Sequence, residues 1–238
     1  MIELENLSVN FGGVVALDAI SATFTAPVSG IIGPNGAGKT TTMNVISGFL
    51  RCTGRIRGDG VDVGQMPPHK RCRWGLRRSF QREQIADDLS VEANLQVIQD
   101  GVPGSRAVKR ADRERALEVC GLTDRRDVLA SQLNTFERRL TDVARCLVGR
   151  PKIVMFDEPG GGLSRDEANR LGDLILKVHE LTGASTLVID HDVDLIERIC
   201  AETLVLDFGK RIAFGPTRKV LDDPKVKAAY LGIEEELA

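Results

Sequence analysis

Apolar and polar positions alternate at the start of the chain. Ile2, Leu4, Leu7 and Val9, and later Ile20, Ala22 and Phe24, are apolar among polar neighbours, with Phe11-Gly12-Gly13 reading as a turn. A period of two predicts short β-strands over residues 2 to 32. That pattern stops at Ser29-Gly30-Ile31-Ile32, which enters Gly33-Pro34-Asn35-Gly36-Ala37-Gly38-Lys39-Thr40. Thr41-Thr42-Met43-Asn44-Val45-Ile46 follows as a helix-forming run, so the order is strand, glycine loop, helix. From about Ser90 to Arg150 the sequence takes on a charged, helix-period character, as in Lys109-Arg110-Ala111-Asp112-Arg113-Glu114-Arg115-Ala116-Leu117, and predicts a helical lobe. Ile153-Val154-Met155-Phe156 and Thr186-Leu187-Val188-Ile189 are short, unbroken apolar runs of the kind found in strands covered on both faces. Glu167 to Leu181 between them reads as helix, which makes a βαβ unit and an α/β fold with a mostly parallel sheet.

Composition narrows the class. The chain has 238 residues, 42% hydrophobic and 28% charged, enough for one large α/β domain or one domain with an inserted lobe. Its 32 basic and 34 acidic residues give a formal net charge of −2, so no global field draws it to nucleic acid or anionic lipid. Five cysteines without a C-x-x-C pair do not form a disulfide framework and suit a reducing cytosol. No apolar stretch approaches the roughly 18 to 20 residues that cross a bilayer, and Met1-Ile2-Glu3-Leu4-Glu5 has no signal-peptide character. Any membrane association is therefore expected to run through a protein partner.

The glycine loop carries the strongest chemical signal. Gly33-x4-Gly38-Lys39-Thr40 satisfies the phosphate-loop pattern in the strand-before, helix-after context the motif requires. Its glycines let backbone N–H groups turn inward around phosphate oxygens, the helix start adds positive character, and Lys39 reaches the β and γ phosphates. Pro34, Asn35, Gly36, Ala37 and Thr41 complete the expected binding loop, and the Thr40 hydroxyl is the expected ligand of Mg²⁺. Asp157 and Glu158 end the apolar run at 153 to 156, where open α/β sheets bind ligands. Asp157 is placed to reach Mg²⁺, and Glu158 to orient or deprotonate a water beside the γ-phosphate. His191, in Asp190-His191-Asp192, follows the next apolar run and is expected at the same sheet edge, hydrogen-bonding a phosphate oxygen or holding Glu158. The bland alternatives are an incidental Lys-Thr, acids that merely end a strand and a solvated histidine; the order of the motifs weighs against them.

In that order, these residues resemble the ATPase subunit of an ABC transporter, and the likeness covers nearly the whole chain. It implies a nucleotide-binding core at about residues 1–84 and 151–222 with an N-terminal antiparallel β-subdomain, a helical subdomain at about 85–150, and a C-terminal helix or tail at 223–238. It further implies ATP and Mg²⁺ as ligands, Phe11 stacking on adenine, and Gln81 of Arg78-Ser79-Phe80-Gln81 contacting Mg²⁺ and the water. Gly160-Gly161-Gly162-Leu163-Ser164 corresponds to the loop that meets the opposite subunit. Within the family, Phe11-Gly12-Gly13, the basic segment before Phe80-Gln81, and Ala229-Tyr230-Leu231-Gly232 look like importers of branched-chain amino acids, with urea and short-amide importers close by. Two permease subunits, a solute-binding protein and a peripheral place on the cytoplasmic membrane face follow from the resemblance.

The chain departs from the family at its signature. Where Leu-Ser-Gly-Gly-Gln is expected stands Leu133-Asn134-Thr135-Phe136-Glu137, followed by Arg138-Arg139-Leu140. In the family this element closes over the nucleotide of a second subunit; Phe136 would add bulk there and Glu137 negative charge toward the γ-phosphate. The same residues also read as a capping box, Asn134 capping the first turn and Glu137 reaching back, so the expectation is a retained cap with a weakened phosphate contact. A heterodimer with a second ATPase subunit of intact signature follows. Lys70 to Arg82 holds six basic residues and no acid and reads as a solvated basic face beside the nucleotide cleft, with nucleic-acid binding as the alternative; the resemblance implies that the surface after Gln81 docks a cytoplasmic helix of the membrane subunit. A soluble ATPase acting on nucleic acid and a non-hydrolysing nucleotide clamp are the rival functions.

Overall fold

The computed structural model describes residues 1–231. The alternating N-terminal pattern forms β1 (Ile2–Phe11) and β2 (Val14–Phe24), an antiparallel pair longer than the short strands expected. Ile2, Leu4, Leu7 and Val9 face inward, and a bulge between Leu4 and Leu7, with Asn6 at φ 50°, keeps them on one face across the offset. β3 (Val28–Ile32) is buried along its whole length and delivers the chain to the glycine loop. α1 (Lys39–Ser47) leaves that loop, followed by β4 (Thr53–Gly58), β5 (Val61–Asp62), α2 (Pro68–Trp74) and β6 (Leu76–Arg78). The lobe after β6 is helical: α3 (Val91–Asp100), α4 (Arg106–Val119) and α5 (Thr135–Leu147). Its starts are set by side-chain caps, Ser90, Ser105 and Asn134, each accepting from a first-turn N–H.

The chain then returns to the sheet through β7 (Ile153–Asp157), α6 (Arg165–Thr182), β8 (Ser185–Ile189), α7 (Val193–Ile199), β9 (Glu202–Asp207) and β10 (Lys210–Pro216), and ends in α8 (Thr217–Asp222) and α9 (Pro224–Leu231). Two sheets result. An antiparallel one runs β2-β1-β4-β5, and a six-stranded one runs β10-β9-β3-β8-β7-β6, parallel except for β10. One core fills the space between the two sheets and α1, and the other lies under the helices. The fold is the α/β architecture the apolar runs predict. Of the C-terminal segment, Gly232 and the acidic run Glu234-Glu235-Glu236 lie outside the described residues.

The basic segment corrects the reading of a solvated face. Lys70, Arg73 and Arg82 are exposed, but Arg71 and Arg77 are buried. Arg71 donates Nε to the Met66 carbonyl at 2.8 Å, Nη1 to those of Val45 and Ile46 at 2.7 Å each, and Nη2 to that of Gly64 at 2.8 Å. A guanidinium has five N–H donors and here finds backbone acceptors at the end of α1, where helix carbonyls lack partners of their own. Burial still lowers the pKa of Arg71, opposed by the nearby Cys52 and Asp62.

Candidate active site

The phosphate loop owes its glycines to close approach. A Cβ on Gly33, at φ 152°, would lie 2.1 Å from the Leu206 carbonyl oxygen of β9. One on Gly38, at φ 104°, would lie 2.8 Å from the Ala16 oxygen of β2. Neighbouring strands press on the loop from both sides, so only glycine fits. Ala37 donates to the Pro34 carbonyl and accepts from Gly209, closing the turn. α1 begins with no side-chain cap, which leaves its first-turn N–H groups to an anion. Lys39 is buried, with Nζ donating to the Gly33 carbonyl at 2.6 Å and the Pro34 carbonyl at 2.9 Å, folded back over the loop it follows. Burial lowers its pKa, against the opposing pull of Glu158 and Asp157. Asn35, Gly36 and Thr40 face solvent, Thr41 is half-buried, and the Thr42 hydroxyl is spent on the Gly38 carbonyl.

The carboxylates stand at the ends of parallel strands beside this loop. Asp157 closes β7 and accepts from Arg78 Nη2 at 2.7 Å. Glu158 follows at φ 49°, a left-handed conformation uncommon outside glycine and often found where structure holds a functional residue in place. Its N–H extends the β7–β8 pairing to the Ile189 carbonyl at 2.7 Å, and its Oε2 accepts from Gln81 Nε2 at 2.7 Å. His191 Nδ1 lies 4.0 Å from Glu158 Oε2 and 3.6 Å from Asp190 Oδ1. Lys39, Gln81, Asp157, Glu158 and His191 thus share one sheet edge. Phe11 stands apart from these contacts, half-exposed where β1 turns into β2, two strands that border the loop. Thr40, Gln81 and Asp157 offer only oxygen toward a metal, a donor set that fits a hard cation such as Mg²⁺. Among the described residues there is no cluster of three or more His, Cys, Asp or Glu to make a dedicated metal cage.

Three supports were hidden in the sequence. Asp190, buried beside His191, accepts from the N–H of Asp192 at 3.0 Å and of Gly160 at 3.4 Å, fastening the glycine-rich loop to the histidine strand. Burial raises its pKa, against those N–H groups and His191. Arg139 of α5 donates to the Phe80 and Gln81 carbonyls at 3.2 Å each and to that of Gly161 at 3.5 Å, tying the helical lobe to both loops. Arg78 is the third, concealed within the basic run.

The altered signature is arranged differently from the steric and electrostatic picture its composition suggests. Asn134 Oδ1 accepts from Glu137 N–H at 2.8 Å and Asn134 N–H donates to Glu137 Oε2 at 3.0 Å, a complete capping box. Arg125 Nε holds Glu137 Oε1 at 2.8 Å, so that charge is matched and held at the helix start. Phe136 is 9% exposed and packs in the helical core, with the Arg170 guanidinium 5.1 Å from its ring centre. The bulk of Phe136 is therefore directed into the fold, and the charge of Glu137 is paired with the exposed Arg125. The cap has taken the N–H groups of Asn134 and Glu137.

A lysine-bearing glycine loop at a helix start, with a carboxylate pair and a histidine on adjacent strand ends, defines a phosphate-loop nucleoside triphosphatase. Residues 18–161 match the ABC transporter family model. The chain is 34% identical to the high-affinity branched-chain amino acid transport ATP-binding protein BraF of Pseudomonas aeruginosa, and 31% identical to LivG of Escherichia coli, over 98% of each chain. It is also 31% identical to the lipopolysaccharide export system ATP-binding protein LptB of Haemophilus influenzae, over 98% of both. Among solved structures, the ADP conformation of MJ1267, an ATP-binding cassette of an ABC transporter, is 29% identical with a TM-score of 0.86, covering 98% of this chain and 99% of that one. The chain belongs to the ABC transporter family. It is an ATP-binding cassette of the hydrolysing kind. Among the described residues no helix is long and apolar enough to cross a membrane.

Proposed function

We propose that this chain is the ATP-hydrolysing subunit that energises a membrane importer of branched-chain amino acids, working from the cytoplasmic membrane face. Similarity to BraF and LivG along nearly the full length carries the solute assignment, and the Gln81–Glu158 contact carries the chemistry. With Oε2 of Glu158 held by the Gln81 amide, Oε1 is left to orient a water or take its proton. Lys39 exchanges two carbonyl contacts for the β and γ phosphates, a charge-assisted interaction of greater strength. His191 steadies Glu158 or the γ-phosphate. Thr40, Asp157 and Gln81 would hold Mg²⁺, which when bound neutralises charge on the phosphate oxygens.

The partner is a second cassette with an intact signature. A cleft of about 520 Å³ lined by Gly160, Gly161, Gly162, His191 and Arg165 opens beside the site and suits such a contact. The nucleotide of this chain then meets a full set of groups, whereas the partner's faces the capped α5 start and turns over slowly. Two permease subunits complete the complex. A groove lined by Phe49 and Phe80, next to Gln81 in the chain, supports docking of a permease helix, and a solute-binding protein acts through the permease. The test is co-purification with candidate membrane subunits, then ATPase assay with solute-loaded binding protein. Stimulation by leucine, isoleucine or valine supports the assignment. Stimulation only by urea, short amides or lipopolysaccharide transfers it to another transporter, and salt-sensitive RNA or DNA binding without a permease refutes it.

A further inference from the structure

Arg78 stands where three parts of the molecule meet. Nη2 donates to Asp157 Oδ2 at 2.7 Å, and Nη1 donates to Asn44 Oδ1 at 2.7 Å and Ser47 Oγ at 3.1 Å on α1. The guanidinium carbon lies 4.8 Å from the centre of the Phe80 ring. Phe80 in turn stacks on Phe49 at 6.1 Å and 29°. The Arg78 and Asp157 side chains are 5% and 7% exposed, whereas Phe49 is 55% exposed. Ser47, Phe49, Arg78 and Phe80 line a groove of about 310 Å³ on the far side of this pair. One guanidinium therefore shows its face to the groove and its edge to the carboxylate beside the phosphate loop. Four separate contacts fix it, so it cannot shift at one end without disturbing the other.

We propose that Arg78 is a positioning residue: it fixes Asp157 by one oxygen, leaving Oδ1 outside that bond for the cation, and through Phe80 it makes this arrangement responsive to the groove. The proposal rests on the reading of Asp157 as a Mg²⁺ ligand. Arg78 touches neither nucleotide nor metal in this scheme. Groups that orient a metal ligand from behind commonly set metal affinity by 10- to 100-fold. Lysine keeps the charge but cannot reach Asn44 and Asp157 with two fixed donors, so it restores only part of the effect.

The experiment is calorimetric binding of a non-hydrolysable ATP analogue to the full chain across a Mg²⁺ series, with thermal unfolding as the fold check. Arg78→Met is expected to reduce the Mg²⁺-dependent gain in affinity roughly tenfold or more, with Arg78→Lys intermediate. Phe80→Leu, which leaves Arg78 and Asp157 themselves unchanged, is expected to shift it in the same direction by less. Should Arg78→Met not fold, Arg78→Lys and Phe80→Leu carry the test. An unchanged Mg²⁺ gain in a folded Arg78 variant overturns the proposal, as does a larger gain, which would make Arg78 a competitor of the cation. An unmoved Phe80→Leu overturns the link to the groove. Asp157→Asn separates the layers: if the Mg²⁺ gain survives it, the ligand assignment fails and the proposal with it. If that variant abolishes the gain while Arg78→Met does not, only the proposal fails.

Discussion

Replacing Phe136 by alanine tests whether the altered signature is built into the core. The ring is 9% exposed, belongs to the same core as Leu140, Leu171 and Leu174, and carries Arg170 above it. Buried Phe→Ala changes cost about 3–5 kcal/mol, including the cavity left behind. Loss of the cation–π contact adds up to ~1 kcal/mol at most, since that edge is near solvent. Better helix propensity of alanine returns roughly 0.5 kcal/mol. The net expectation is a loss of about 2.5–5.5 kcal/mol, which for a chain of this size is a fall in Tm of roughly 5–22 °C. Differential scanning calorimetry of the full chain, supported by urea unfolding, reads it directly. A loss below about 1 kcal/mol, with ATPase activity rising in the presence of a partner cassette, would refute the reasoning. Phe136 would then be the obstructing surface group that its position in the signature first suggests.

Three further outcomes follow from the site and its supports. Glu158→Gln should leave nucleotide affinity nearly unchanged and lower kcat of the partnered enzyme by orders of magnitude; equal turnover would remove Glu158 from the chemistry. Arg71→Met should cost roughly 3 kcal/mol in denaturant unfolding, because the backbone acceptors from Val45, Ile46, Met66 and Gly64 lose a charged donor. Asp142, buried in α5, has its pKa pushed up to about 6 by desolvation, with Glu83 adding to the rise and Arg145, Arg139 and the Phe80 N–H opposing it. Its folded pKa lies above the ordinary 3.8, so the native state binds the extra proton between those values. Its contribution is complete below pH 3.8 and is lost as pH rises through 6, by up to about 3 kcal/mol. Asp142→Asn should remove that fall, so the stability difference between variant and wild type must widen from pH 4 to pH 7.

The sequence exposes the parts of the site that are local. A loop of glycines between a strand and a helix, and acids ending an apolar run, follow from spacing alone, because backbone conformation and strand direction place them. The fold class was legible for the same reason, since β3, β7 and β8 are buried on both faces and carry unbroken apolar runs. Long-range polar pairing was not legible. Arg71 and Arg78 sit in a run that composition alone reads as solvated, yet one is taken inward by the free carbonyls of α1 and the other by Asp157. Their acceptors come from elsewhere in the chain, so no periodicity marks them. Phe136 shows the same limit in the apolar case. The capping box was readable from Asn134 and Glu137, but the direction of the ring depends on α6, which packs beneath it.

Steady-state ATPase assay of the purified chain, alone over a range of concentrations and then mixed with a cassette bearing an intact signature, tests the central claim most directly. The chain alone should show little turnover, and mixing should raise it sharply in a way that Glu158→Gln in this chain abolishes. Robust, cooperative turnover by the chain alone, or mixed activity indifferent to Glu158→Gln, would contradict a site that waits on a second subunit for its closure.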